Sequence, residues 1–212
     1  MDQIVFVICQ ASLTQNTCKH SKGPRSKRCF NCLFKPNSVS RDKKKSNYKS
    51  ERTDITHQCL LTLLDSPLNK AGKLKVFIHT TQNALIEVNP ATRIPRTLSR
   101  FNGLMSQLLS KLKIRAVTGE VLLKVIKNPV TNYLTPNAVR VELCQVGSKI
   151  NKDELIKKMD RGYVFFVNAI PSGEDGTCEY AEIKMKVSDY GLSAALCCGK
   201  VCNIFEEILN IF

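Results

Sequence analysis

Apolar positions recur along this chain with two distinct periods. The run Ile4-Val5-Phe6-Val7-Ile8 is apolar throughout, as a strand covered on both faces requires. From Thr53 or Asp54, either of which can cap exposed amides, the spacing changes, and Ile55, Cys59, Leu60, Leu63 and Leu64 fall on one helical face. Asp65-Ser66-Pro67 stops that helix, and strands are predicted over 74–79 and 84–88. From Thr97 the positions Phe101, Leu104, Met105, Leu108, Leu109 and Leu112 follow the rule of a core-facing helix. Strands over 121–126, 139–144 and 163–167 follow, with a helix over 152–159 before the last of them and a final helix over 192–209. This order predicts an α/β fold with a mostly parallel sheet, and ligands beyond the C-terminal ends of its strands.

The final helix opens with small residues, Ser193, Ala194 and Ala195. Small side chains there permit close approach, either of a ligand or of a neighbouring strand. At 212 residues the chain is read as one domain, 1–212, interrupted by a basic insertion at 15–51. Of 32 Lys and Arg, 12 lie between Lys19 and Arg52, against only Asp42 and Glu51 among 18 acidic residues. That stretch therefore holds ten of the fourteen net positive charges, and the rest of the chain is only mildly basic. A polyanionic partner is expected, but cations elsewhere must be placed individually to bind it. No run reaches the roughly 20 apolar residues of a membrane span, so a soluble intracellular protein is expected.

Ten cysteines without a secretory signal read as reduced, buried thiols. Cys18, His20, Cys29 and Cys32 contain the four soft ligands of a tetrahedral zinc site. Their spacing fits no common finger, and the Lys, Ser, Asn and Pro content of 21–50 favours a flexible insertion without a metal.

Arg93, Arg96 and Arg100, in RIPRTLSRF at 93–101, stand where a helix begins. Guanidinium forks fixed at that position suit phosphate, and the pattern points to a folded RNA-binding surface as well as to a merely solvated helix start. Asp54-Ile55-Thr56-His57-Gln58, LLDSPLNKAG at 63–72, IEVNPATRIPRT at 86–97, LLKVIKNPV at 122–130 and SDYGLSAAL at 188–196 then occur in one order. Together they closely resemble the pseudouridine-N1-specific ribosomal RNA methyltransferases, the nucleolar essential protein one family of the SPOUT superfamily. The resemblance covers 4–12 and 52 to the C-terminus.

That resemblance implies a mostly parallel sheet with helices on both faces, a C-terminal trefoil knot holding S-adenosyl-L-methionine, and a homodimer as the working unit. It implies methylation of N1 of a pseudouridine in a small-subunit rRNA hairpin, a part in small-subunit biogenesis beside pre-ribosomal assembly factors, and a nucleolar setting. Neither membrane nor DNA is an implied partner. Arg52, Arg93, Arg96 and Arg100 match the family's RNA-contacting arginines, and Asp54 matches the acid that positions the first of them. A helix cap and, more weakly, a general base are the other readings of Asp54. The cofactor segments correspond to Leu143, to Asn168 through Gly173, and to Val187, Ser188, Asp189, Tyr190, Gly191 and Leu192.

Four positions depart from the family pattern. Asn168 replaces a glycine, with positive φ expected there. Gly191 and Thr53 replace prolines, and Cys9 replaces a glutamate. These leave the RNA surface better matched than the cofactor pocket. The alternative function is accordingly an rRNA-binding assembly factor that has lost cofactor affinity.

Overall fold

The computed structural model describes residues 4–13, 52–171 and 178–211. Among these residues eight strands form one sheet: β1 (Ile4–Ala11), β2 (Leu74–Thr80), β3 (Leu85–Val88), β4 (Lys113–Arg115), β5 (Val121–Ile126), β6 (Val139–Lys149), β7 (Tyr163–Asn168) and β8 (Ile183–Lys186). Their order is β4-β5-β3-β2-β1-β7-β6-β8. The β2-β1-β7-β6-β8 portion is parallel throughout, and β3, β5 and β4 extend it by antiparallel pairing. β1 lies in the middle of the sheet and is buried along almost its whole length, as its unbroken apolar run requires.

Among the described residues five helices accompany the sheet: α1 (Thr53–Asp65), α2 (Pro67–Lys70), α3 (Leu98–Lys111), α4 (Lys152–Lys157) and α5 (Ala194–Leu209). Cys59 and Leu60 from α1, Leu68 from α2, Phe101 and Met105 from α3, Leu155 from α4, and Val201 and Phe205 from α5 enter a single core with alternate residues of the central strands. Phe205 closes on Tyr163 and Phe165, with centroids 5.5 and 5.6 Å away, and Phe165 continues the stack to Phe6 at 5.4 Å. The opposite face of the sheet carries Val5, Val7, Phe77, Val164 and Phe166, covered by Val130 and Tyr133 of a 3-10 turn and by 178–181. Helices were expected on both faces. Among the described residues every α-helix packs on one, and turns and loops suffice for the smaller second core.

The predicted elements recur with shifted ends. The helix expected over 152–159 stops at Lys157 and tightens into a 3-10 turn, Met159–Arg161. The last helix starts at Ala194 because Ser193 caps it, its hydroxyl accepting from the Leu196 amide. β4 and β8 were not expected. Among the described residues no helix is long and apolar enough to cross a membrane.

Candidate functional site

The arginine loop is anchored residue by residue. Asn89 donates to the Val121 carbonyl and accepts from the Ala91 amide, and the Thr92 hydroxyl donates to the Leu122 carbonyl. Asn69, buried, donates to the carbonyls of Leu64 and Pro90, both at 3.0 Å. Ile94 plugs into the core, and His57 Nε2 donates to the Pro95 carbonyl at 2.7 Å while its ring stacks on Phe101 at 4.6 Å. With the residues between them fixed, Arg93, Arg96 and Arg100 are left exposed. Arg96 pairs with Asp65 at 2.7 Å, an exposed contact that a phosphate can displace at little cost.

Arg52 stands at the other end of α1, roughly 20 Å from Asp65 by helix rise. Its Nε and Nη2 donate to the two Asp54 oxygens, each at 2.8 Å. These bonds hold the Asp54 carboxyl below its ordinary range, against partial desolvation. The expected helix cap is absent. Arg52 occupies the cap position without a capping side-chain bond, because a guanidinium can only donate, and Asp54, inside the first turn, pairs with that guanidinium.

Arg52 and Asp54 also line a cleft of about 610 Å³ that opens at the C-terminal ends of the parallel strands. Ile55 and Gln58 of α1 form one wall, and Leu143, the last β6 residue paired with β7, and Val167 and Asn168 at the end of β7 form the floor. Ile170, Pro171, Val187, Ser188, Tyr190 and Leu192 continue round it, and Ser193, Ala194, Ala195 and Cys197 close it from α5. A bulge makes room on the β6 side. Pairing with β8 breaks between Leu143 and Ser148, which turns Cys144 and Gln145 into the cleft. The bulge depends on Gly147, where a Cβ would lie 2.6 Å from the Lys184 carbonyl oxygen.

Most of the residues expected to hold a cofactor meet here. Leu143, Asn168, Val187, Ser188, Tyr190 and Leu192 line the cleft, whereas Asp189 and Gly191 are not among its lining residues. Asp189 pairs outward with Lys186 at 2.8 Å, and Gly191 backs onto the end of the Gln145 side chain. Asn168 does not adopt the positive φ expected of it. It is the last residue of β7, in register with Cys9, and its side chain donates to Glu142 at 3.2 Å. Gly173 and the set Cys18, His20, Cys29 and Cys32 lie outside the described residues. Among the described residues no group of His, Cys, Asp and Glu could hold a metal ion. Sequence reasoning missed Gln58, Cys144 and Gln145. Gln58 carried a signal, sitting one turn after Asp54 on α1, whereas the bulge that exposes the other two has no sequence period.

A mostly parallel sheet ending in an open cleft, with an oriented arginine at its rim and an anchored arginine loop at the far end of the same helix, has room for a small molecule and exposed cations beside it. The EMG1/NEP1 methyltransferase family matches residues 6–206, and the chain belongs to that family. It is 48% identical over 169 residues to ribosomal RNA small subunit methyltransferase mra1 of Schizosaccharomyces pombe, covering 78% of this chain and 47% of that protein. It is 49% identical over 162 residues to ribosomal RNA small subunit methyltransferase NEP1 of Homo sapiens, covering 76% of this chain and 66% of that one. The chain thus spans between about half and two thirds of the length of these relatives. The crystal structure of Archaeoglobus fulgidus Nep1 bound to S-adenosylhomocysteine superposes with a TM-score of 0.72 at 24% identity, covering 99% of this chain and 100% of that one, and shows the shared fold.

Proposed function

We propose that this protein transfers a methyl group from S-adenosyl-L-methionine to N1 of a pseudouridine in a hairpin of small-subunit rRNA, and that it acts in small-subunit biogenesis. One observation carries the proposal: the Arg52–Asp54 pair lines the same cleft as the strand ends and the segment before α5. The relatives' names supply the substrate class, and the archaeal complex supplies the cofactor.

The residues fit that cofactor. A cleft of about 610 Å³ suits a nucleoside with an amino-acid tail, and aliphatic side chains with small residues at the α5 entrance leave a flat slot. Bound there, S-adenosyl-L-methionine supplies an already activated sulfonium methyl, so the protein's task is placement. Arg52, Arg93, Arg96 and Arg100 grip the RNA backbone while the target base turns out of its stack. Asp54 fixes Arg52 at the cleft rim. The N1 proton leaves to solvent or to a neighbouring group, since a carboxyl held low by arginine is a weak base.

A homodimer completes the proposal, supported by the exposure of Tyr190 and Leu196 beside the cleft, at 82% and 48%. Family membership supports a knotted C-terminal segment and a nucleolar location. A binding-only assembly factor is the second reading, favoured by one observation: Asn168, which stands where the family pattern has glycine, lines the cleft. Incubation with methyl-labelled S-adenosyl-L-methionine and paired hairpins carrying uridine or pseudouridine decides between them. Label on the pseudouridine hairpin alone is expected. Binding of both hairpins without label would establish the second reading.

A further inference from the structure

Glu142 is the one carboxyl among the buried described residues, 1% exposed. A buried carboxyl is costly unless it is bonded. Glu142 sits in β6 beside Leu143, and its register partner on β7 is Phe166, so it faces the second, smaller core rather than the cleft. There its Oε1 accepts two hydrogen bonds, from Asn168 Nδ2 at 3.2 Å and from the Cys178 amide at 3.3 Å. Its Oε2 has no hydrogen-bond partner, and the nearest cation, Lys184 Nζ on β8, stands 3.9 Å away.

The two donors are not a random pair. The chain leaves β7 at Asn168, and Ile170 and Pro171, the next residues but one and two, wall the cleft. The chain has returned to the sheet by Cys178, packed against the second core. One oxygen therefore holds both Asn168, from which Ile170 and Pro171 follow, and Cys178. On the near side, the Ala169 amide donates to the Cys9 carbonyl at 2.9 Å and fixes the first step away from β7.

From this geometry we infer that Glu142 is a positioning residue: it sets the Asn168–Pro171 wall of the cofactor cleft from behind, through Asn168 and Cys178. The inference rests on the cofactor reading above. It also explains how Asn168 stands in the cleft without filling it, because Glu142 draws its amide nitrogen toward the second core.

The test uses the full chain with Glu142→Val and Glu142→Gln, read by S-adenosyl-L-methionine affinity, hairpin affinity, thermal melting and amide hydrogen exchange at Cys178. Valine removes the acceptor that the two donors share, and glutamine keeps one acceptor oxygen. The valine variant should bind S-adenosyl-L-methionine about tenfold more weakly and exchange Cys178 faster, with hairpin affinity unchanged, and glutamine should restore most of both. A folded valine variant with wild-type cofactor affinity and slow exchange would overturn the inference. Should valine prevent folding, Glu142→Asp, which withdraws the acceptor by one methylene, must weaken cofactor and not hairpin binding, and equal affinities would overturn it. If the wild-type protein binds no S-adenosyl-L-methionine, the cofactor reading fails. Cys178 exchange then still decides the clamp: acceleration by valine alone retains it, and none removes it.

Discussion

Arg52 and Asp54 are two residues apart, yet they join the two halves of the site. Each guanidinium bond to the carboxylate is 2.8 Å, and the pair is exposed enough that solvent screening leaves it a small part of folding stability. Its value is orientation. Because the Asp54 carboxyl is held below its ordinary range, chiefly by those bonds, its contribution is present above about pH 4 and is lost as pH falls through the lowered value. The methyl-transfer rate should therefore show no step from Asp54 between about pH 5 and 8. A step in that window that disappears in Asp54→Asn would make Asp54 the general base. Arg96 differs from Arg52: its partner is Asp65 at the far end of α1, and it is not a cleft residue. Arg96→Ala should weaken hairpin binding by about tenfold and leave cofactor binding unchanged, measured by parallel titrations. The cluster of exposed arginines was legible in the motif RIPRTLSRF, but their partners were not, because Asp65 is brought to Arg96 only by the tertiary fold.

At the scale of elements, α1 organises the site. Its cap and first turn supply Arg52 and Asp54, its second turn supplies His57 to the Pro95 carbonyl, and its last supplies Asp65 to Arg96. His57→Ala removes a hydrogen bond and a ring stack under the arginine loop, at a cost of about 2 kcal/mol by analogy with other buried polar contacts. The prediction is a lower unfolding midpoint in denaturant, with hairpin affinity falling more than cofactor affinity. Equal losses of the two affinities would mean that the loop does not depend on His57. The period of apolar positions disclosed β1, α1 and α3 because each buries a long regular face. It could not disclose β4 or β8. Lys113-Ile114-Arg115 and Ile183-Lys184-Met185-Lys186 are short, charged and placed at the two edges of the sheet, where alternating lysines and arginines discourage further pairing while weakening any strand signal.

Over the whole molecule, the cleft is assembled from α1, the middle of β6, the end of β7, the segment before α5, and α5 itself, so segments more than 130 residues apart in sequence must meet. Period and composition predict that a ligand belongs beyond the strand ends, and that is where the cleft lies. They do not predict which segments meet there. The family resemblance did, because it assigns Leu143, Asn168 and 187–192 to one site. The departures at Asn168 and Gly191 looked damaging in sequence because both fall in cofactor segments. In the fold Gly191 lies behind Gln145 and the Asn168 side chain is drawn to Glu142, which leaves the cavity open. Calorimetric titration of the purified protein with S-adenosyl-L-methionine tests that claim most directly. Micromolar binding at one site per chain, about −8 kcal/mol, is the predicted result. No heat from a folded protein that still binds the rRNA hairpin would contradict it.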